Sequence, residues 1–283
     1  MSTALEPGRR YTLADRLVPP WRGSLVAAIN ARFRARETER PGPRVLEDPY
    51  ALRLGGAHPA LRILEWAEGR FPAIAHMSEA QIAAHCVRHA SLDGLVREAV
   101  RDGFRQVVII GAGYDMRSAR IGGARWFEVD RPPMVRGKDR LVGPDGVTRV
   151  GADVRHDRLL ERLVAAGLDP EVPTCFVAEG LVHYLPRERV FELLVELGTG
   201  RRRVLLSWIE PEMSRRVTST FREVVRLLGE VPRTFFTRAE LTETFASVGL
   251  RFQAWSYAEQ VETFAPAAAD RRVGLTQEVG RAG

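Results

Sequence analysis

The chain has 283 residues, 45% of them hydrophobic, which is enough for one large domain with a real core. Its formal net charge is +6, but the basic residues are nearly all arginine and are scattered among acids, which argues against a nucleic-acid-binding face. No apolar run of 18 residues occurs, so a membrane span is not expected.

The first hundred residues are predicted to be mostly helical. Residues 1–23 are polar and run into prolines, which is typical of a flexible arm. Beyond them, apolar residues recur on one face of several stretches. Helices are predicted over residues 24–39, near Asp48, and over 59–69 and 78–102. We expect residues 24–103 to form an N-terminal helical cap.

From residue 104 onward the pattern changes to strands that alternate with helices. Runs of branched and aromatic residues predict six strands, at 106–110, 125–129, 148–152, 174–178, 203–208 and 251–257. Helical periodicity predicts helices between them, at 116–121, 134–141, 157–166, 187–197 and 237–248. The alternation implies an α/β fold with a mostly parallel central sheet flanked by helices. We expect this core to span 104–265, with a helical lid inserted at about 210–236 and a C-terminal tail at 266–283.

A glycine turn, Gly111-Ala112-Gly113, directly follows the first strand. Glycine permits a tight turn there and lets a ligand approach the backbone without a Cβ in the way. The dinucleotide fingerprint requires a third glycine three residues later, where this chain has Met116. The turn therefore favours a nucleoside ligand without a pyrophosphate.

Three acids stand at or just after strand ends, where ligands of parallel sheets bind. Asp130 is placed to accept hydrogen bonds from both hydroxyls of a ribose. Asp153 is placed to contact an adenine amino group, or else caps the next helix. Glu179 follows a wholly apolar strand and needs a partner, which is either a cationic ligand or an arginine. Glycines, a ribose acid and further acids without a phosphate motif fit S-adenosylmethionine.

Several motifs, in order, resemble those of the leucine carboxyl methyltransferase family, whose bacterial members include polyketide O-methyltransferases of the tetracenomycin type. They are GAGYDMRSAR, FEVDRPPMVRGKDRL, GADVRHD and VAEGLVHYLP, preceded by ARFRARETER…VLEDPYA and VRHASLDGLV. The likeness covers residues 25–257. It implies a Rossmann-like class I methyltransferase fold, S-adenosyl-L-methionine as the cofactor, and O-methylation of a small-molecule or peptide acceptor. The implied acceptor is a carboxylate, or a phenol, of a secondary metabolite.

The resemblance also implies roles for individual residues. Arg88 matches the arginine that holds the methionine carboxylate, assisted by Arg32 or Arg36, between which the sequence does not choose. Glu179 matches the acid near the methionyl end. The remaining cofactor residues that it implies are Gly111, Ala112 and Gly113 of the loop, Asp130 at the ribose, Asp153 and Val154 at the adenine, and Gly180 beside Glu179. Met116 departs from the usual threonine, which weakens a loop hydrogen bond, and His183 departs from the pattern before Tyr184.

Two features are expected to meet the acceptor. His183 and Tyr184 are the candidate catalytic residues, with packing at the sheet edge as the alternative. In the predicted lid, Arg215, Arg216 or Arg222 is placed to pair with an acidic acceptor, unless these arginines form a solvated helix face.

Other ligands and functions are weighed against this hypothesis. His85 and His89 have the spacing of two metal ligands on a helix, but no third ligand is apparent, so no metal site is predicted. An NAD(P)-dependent oxidoreductase, a catalytically idle cofactor-binding scaffold and an RNA methyltransferase remain alternatives. Cys86 and Cys175 are too few for a disulfide framework, and no secretory signal is recognisable, so the cytoplasm is the expected compartment.

Overall fold

The computed structural model describes residues 24–55, 61–198, 200–216, 232–271 and 276–283. The predicted N-terminal arm, most of the predicted lid and Arg222 lie outside these residues, as do the side chains of Arg215 and Arg216.

Within the described residues, four helices precede the first strand, as the sequence predicts. They are α1 (Leu25–Thr38), α2 (Ala51–Leu54), α3 (Leu61–Arg70) and α4 (Pro72–Arg101). Ser24 caps α1, because its hydroxyl accepts the Ala27 N–H at 3.2 Å. Helix α4 begins six residues earlier than the sequence predicts, at Pro72, whose fixed φ suits the first turn of a helix.

Strands and helices then alternate along the chain. The strands are β1 (Gln106–Ile110), β2 (Arg125–Asp130), β3 (Thr148–Gly151), β4 (Thr174–Ala178), β5 (Arg202–Trp208), β6 (Phe252–Trp255) and β7 (Glu278–Ala282). The helices are α5 (Arg117–Arg120), α6 (Pro132–Val142), α7 (Leu159–Ala165), α8 (Arg187–Gly198), α9 (Pro211–Arg216), α10 (Arg238–Ala246) and α11 (Tyr257–Phe264), with 3₁₀ turns at Val182–Tyr184 and Pro266–Ala268.

One sheet of seven strands, in the order β3-β2-β1-β4-β5-β7-β6, organises the described chain. Strands β1 to β5 pair in parallel, whereas β7 runs antiparallel to both of its neighbours. Connections leave β1 in one direction to β2 and return on its other side to β4. A crevice therefore opens at the carboxyl ends of β1 and β4, which is where ligands bind in such sheets.

Both faces of the sheet are covered, and β1 shows how. Val108 and Ile110 point into an apolar core shared with helices α7, α8 and α10. Val107 and Ile109 point into a second core, under α4. A strand buried on both sides reads as a continuous apolar run, which explains why β1 and β4 are the clearest strands in the sequence.

The predicted C-terminal tail needs a correction. Residues 278–282 form β7, which lies between β5 and β6 and completes the sheet, so the core extends beyond residue 265. The sequence EVGRA has a glycine in mid-strand, which is unfavourable for a strand in isolation. Here a Cβ on Gly280 would lie 2.4 Å from Phe252 and 3.0 Å from Trp208, so packing of the rings requires glycine.

The structure also bears on two expectations from the sequence, those about a membrane span and about the cysteines. None of its described helices is both long and apolar enough to cross a membrane. Cys86 and Cys175 are both free and buried, and burial raises the pKa of Cys175 to about 12 and the pKa of Cys86 still further.

Candidate active site

A cavity of about 490 Å³ opens at the carboxyl ends of the first four strands, within the size range of small-molecule sites. Its walls come from the segments that follow β1, β2, β3 and β4 and from helices α1 and α4. All nine predicted cofactor residues and Tyr184 line it, namely Arg88, Gly111, Ala112, Gly113, Asp130, Asp153, Val154, Glu179, Gly180 and Tyr184.

The glycine loop turns sharply on the floor of the cavity. Gly111 and Gly113 have φ of +70° and +47°, a conformation that favours glycine. The N–H groups of Gly111 and Ala112 donate to the Val129 carbonyl at 2.8 and 3.1 Å, which ties the loop to β2. Helix α1 lies directly on the loop, since a Cβ on Gly113 would be 3.1 Å from the Cβ of Ala27.

Asp115, which the sequence analysis did not select, also lines the cavity and shapes the loop. Its carboxylate accepts the Arg117 N–H at 2.8 Å, and its carbonyl accepts a hydrogen bond from Lys138. Burial opposes ionisation of Asp115, but Arg117, His89 and Arg34 together outweigh burial and lower the pKa of this carboxyl. Met116 follows as a buried core residue.

Asp130 stands at the end of β2 with both carboxylate oxygens engaged by the backbone. One oxygen accepts the Gly113 N–H at 2.8 Å and the other accepts the Arg131 N–H at 2.7 Å. Burial raises the pKa of Asp130, against the effect of these two hydrogen bonds. A carboxylate oxygen can accept two hydrogen bonds, so each Asp130 oxygen can still accept one from a hydroxyl on the cavity side.

Asp153 and Val154 lie on the wall that follows β3. Asp153 does not cap the next helix, which begins at Leu159 with Arg158 in the capping position. Instead its carboxylate accepts hydrogen bonds from the Arg155 backbone at 3.0 Å and from the Arg155 guanidinium. These hydrogen bonds lower the pKa of Asp153 to about 2.

Glu179 is held by three partners at the end of β4. Arg88 Nε donates to Oε1 at 2.9 Å, and Arg117 Nη2 and His89 Nδ1 lie 2.5 and 2.9 Å from Oε2. Burial alone would raise the pKa of Glu179, but His89, Arg88 and Arg117 outweigh it and hold this pKa well below its usual range. The Glu179 carboxylate therefore remains charged, and its partners within the chain include two arginines.

Gly180 turns the chain away from Glu179 with φ of +62°. Its N–H donates to the Ser207 hydroxyl at 2.9 Å, and that hydroxyl donates to the Gln277 amide oxygen at 2.9 Å. The segment that leads into β7 thus supports the acidic turn of the site.

The arginine of α1 that lines the cavity is Arg34, not Arg32 or Arg36. Arg32 and Arg36 both pair with Glu68 on the outer side of α1. Arg34 is buried, donates to Asp48 at 2.8 Å and donates to the Tyr114 carbonyl at 2.6 Å, so it also ties α1 to the glycine loop. Two residues along a helix are about 200° apart, which places Arg34 opposite the other two.

The two candidate catalytic residues have different surroundings. Tyr184 lines the cavity, whereas His183 is buried outside the lining, with its ring 4.2 Å from that of Tyr184. Burial, aided by the charge of Arg88, lowers the pKa of His183 to about 3. His183 is therefore neutral at physiological pH and does not line the cavity.

The cavity fits the nucleoside that the sequence predicts. Ribose hydroxyls find acceptors on Asp130, and the positive-φ glycines leave the backbone open to a ligand. An amino-acid tail carries one anion and one cation, which match the Arg88–Glu179 pair. The residues present thus suit S-adenosylmethionine.

Comparison with known proteins agrees with this geometry. The family model described as leucine carboxyl methyltransferase matches residues 27–198, more than half of the chain. The chain is 38% identical over 184 residues to a "Putative S-adenosyl-L-methionine-dependent methyltransferase" of Frankia alni, covering 59% of this chain and 61% of that protein. A relative of the same description from Streptomyces coelicolor is 36% identical over 183 residues, with 59% and 62% covered. The matched region thus spans about three fifths of the length of these relatives.

Solved structures share the fold. A DUF574 family protein from Streptomyces avermitilis has a TM-score of 0.60 at 16% identity, covering 93% of this chain and 98% of that one. A "putative methyltransferase" from Thermobifida fusca has a TM-score of 0.56 at 14% identity, with 93% and 95% covered. The predicted Rossmann-like class I architecture is confirmed. On the match of the family model, the chain belongs to the leucine carboxyl methyltransferase family.

Proposed function

We propose that this protein is an S-adenosylmethionine-dependent O-methyltransferase whose acceptor is a small molecule or a peptide. The observation that carries the proposal is the convergence of Asp130, the glycine loop and the Arg88–Glu179 pair on one cavity. Family membership and the names of the relatives support S-adenosyl-L-methionine as the cofactor. We also propose that the acceptor is a secondary metabolite and that the protein acts in the cytoplasm.

The work of the protein is alignment and exclusion of water. When bound, the cofactor supplies a methyl group already activated by a positive sulfur. Asp130 and the glycine loop would hold the nucleoside, and Arg88 and Glu179 would hold the amino-acid tail, so that these residues orient the methyl donor. Alignment of this kind contributes about 7–11 kcal/mol to lowering a barrier.

The structure favours a carboxylate over a phenol as the methylated group. A phenol, with a pKa of about 10, benefits from a general base, whereas a carboxylate is already ionised. His183, the candidate base, has its pKa lowered to about 3 and lies outside the cavity lining. A carboxylate acceptor needs no such base. Tyr184 remains the candidate for contact with the acceptor.

Isotope-labelled methyl transfer tests the proposal. The protein is incubated with methyl-labelled S-adenosylmethionine and an extract of small carboxylic acids and phenols, and labelled products are sought by mass spectrometry. We expect label in a base-labile ester. Label in a base-stable aryl ether would replace the carboxylate with a phenol.

Calorimetry separates the remaining alternatives. We expect binding of S-adenosylhomocysteine and none of NAD. Tight NAD binding without a response to S-adenosylhomocysteine would overturn the proposal in favour of an oxidoreductase. Cofactor binding with a persistent lack of labelled product would favour a scaffold.

A further inference from the structure

Two histidines one turn apart on α4 contact the Arg88–Glu179 pair, His85 at the arginine and His89 at the glutamate. His85 Nδ1 lies 2.7 Å from Arg88 Nη2, and His89 Nδ1 lies 2.9 Å from Glu179 Oε2. Both rings are buried and stacked, with centroids 5.9 Å apart at 22°. Both residues line the cavity.

The contacts of each ring define its tautomer. Arginine has no lone pair to offer, so Nδ1 of His85 must accept from Arg88, and its ring proton sits on Nε2. His89 has the opposite arrangement, because Arg120 Nη2 donates to its Nε2 at 2.7 Å. The proton of His89 is then on Nδ1, from which it donates to Glu179.

Two further arginines and the buried Asp93 contact the residues around His89. Arg120 pairs with the buried Asp93, and Arg117 donates to Asp93 at 3.1 Å while also donating to Glu179. Arg117 Nη2 lies 3.0 Å from His89 Nδ1 because both donors converge on the same oxygen of Glu179. The order of contacts is thus Asp93, Arg120, His89, Glu179.

A metal ion is the competing explanation for this cluster. The ligand atoms of His85, His89 and Glu179 lie within 4.8 Å of one another, so Glu179 would be the third ligand of such an ion. The nitrogen lone pairs at Nδ1 of His85 and Nε2 of His89 are taken by arginines, however. Arg88, Arg117 and Arg120 thus hold these ligand atoms in hydrogen bonds, an arrangement that favours an ion-pair network over metal coordination.

We propose that His85 and His89 are positioning residues that fix the Arg88–Glu179 pair in the orientation that binds the amino-acid tail of the cofactor. The inference rests on the proposed function. Arg88 commits Nε to Glu179 and one N–H of Nη2 to His85, and no hydrogen bond within the described chain engages its Nη1. The remaining N–H groups are held ready for a carboxylate. Glu179, aligned by His89, is held ready for an ammonium.

The test uses variants that move the hydrogen-bonding atom within the ring site. Asparagine places an amide atom near the position of Nδ1 and can accept or donate there, whereas glutamine places it near Nε2. The variants are His85→Asn, His85→Gln, His89→Asn and His89→Gln. Glu98→Gln, on the same helix but outside the cavity lining, is the matched control.

Two ligands locate the effect by calorimetry. S-adenosylhomocysteine carries the amino-acid tail, and 5′-methylthioadenosine lacks it. We expect both glutamine variants to lose about tenfold or more in affinity for S-adenosylhomocysteine, as for a lost hydrogen bond to a charged group. We expect the asparagine variants to lose less affinity for S-adenosylhomocysteine than the glutamine variants. The affinity of all four variants for methylthioadenosine should stay within about twofold of the wild-type value.

The outcomes distinguish this inference from the proposed function. Wild-type protein that binds neither ligand would overturn the proposed function and, with it, this inference. Wild-type protein that binds both ligands equally well would show that the tail is not held by this pair. Equal losses for both ligands in the glutamine variants would show that the histidines only stabilise the fold. Each of the last two results overturns the positioning role alone.

Discussion

The Asp130 carboxylate has two roles, because it accepts a hydrogen bond from the backbone of the glycine loop and also lines the cavity. The sequence could predict its position, because an acid at the end of a parallel strand lies at the ligand-binding edge of the sheet. The sequence could not predict that Gly113 N–H would be its partner. That contact depends on how the loop folds back onto β2.

Asp130→Ala is expected to weaken binding of S-adenosylhomocysteine about tenfold to a hundredfold while the fold survives. The reason is that a hydrogen bond to a charged group contributes about 1.5–3 kcal/mol. Titration calorimetry measures the affinity, and circular dichroism monitors the fold. Asp102→Ala, whose carboxylate pairs with Arg203 outside the cavity lining, serves as the control. Unchanged affinity in Asp130→Ala would move the ribose contact elsewhere.

His183 shows where reasoning from the residue type was insufficient. A histidine beside a motif tyrosine suggests a base, but the 3₁₀ turn at Val182–Tyr184 directs only Tyr184 to the cavity. Adjacent residues on such a turn point in different directions. The sequence gives no period from which to choose between them.

The buried His183 makes stability depend on pH. Its pKa in the folded protein is about 3, against about 6.5 in an unfolded chain, so below pH 6.5 the unfolded chain binds the additional proton. The free energy of unfolding is therefore fully retained above pH 6.5 and falls as the pH drops. We expect a loss of about 2 kcal/mol from this group between pH 6.5 and 5.

Urea unfolding at pH 7 and pH 5 measures this loss. His183→Asn should lose less stability than the wild type between these pH values. His85, whose pKa is also lowered well below its usual range, leaves part of the wild-type slope in place. Identical slopes in the two proteins would contradict the assignment.

At the scale of the element, α1 decides which arginine reaches the site. Arginines at 32, 34 and 36 look equivalent in sequence, but alternate residues of a helix face opposite ways. Glu68 on α3 pairs with Arg32 and Arg36 and so orients the other face, with Arg34, toward the cavity. The choice depends on a neighbouring helix and could not be made from α1 alone.

Arg34→Ala is expected to lower the free energy of unfolding by about 3–5 kcal/mol. The substitution leaves the buried Asp48 without its closest cation and removes the hydrogen bond from Arg34 to the Tyr114 carbonyl. Arg36→Ala removes partly exposed ion pairs and should cost no more than about 1 kcal/mol. Denaturant titration of both variants makes the comparison, and equal losses would refute it.

At the scale of the whole molecule, the strand–helix alternation and the acids at the strand ends were predictable, because they follow from local periodicity and from the topology of parallel sheets. Strand β7 was not, since its five residues acquire strand character only between β5 and β6. The residue that precedes β7, Gln277, accepts a hydrogen bond from Ser207, which in turn accepts one from Gly180 in the cavity wall.

Deletion of residues 277–283 is expected to prevent stable folding. It would expose the facing edges of β5 and β6 and remove the amide that holds Ser207. Deletion of Gly283 alone, beyond the end of β7, should have little effect. Thermal unfolding followed by circular dichroism compares the two proteins. A cooperative transition of the larger deletion near the wild-type temperature would show that β7 is dispensable.

The two buried cysteines lie in separate apolar clusters. Cys86 packs with Leu46 and Ile82 in the helical cap, and Cys175 packs in the core between α4 and the sheet. A thiol-specific reagent reaches each sulfur only when its own surroundings open. The rates at which the two cysteine-containing peptides acquire the label therefore report the loosening of the cap and of the core separately, with no residue substituted.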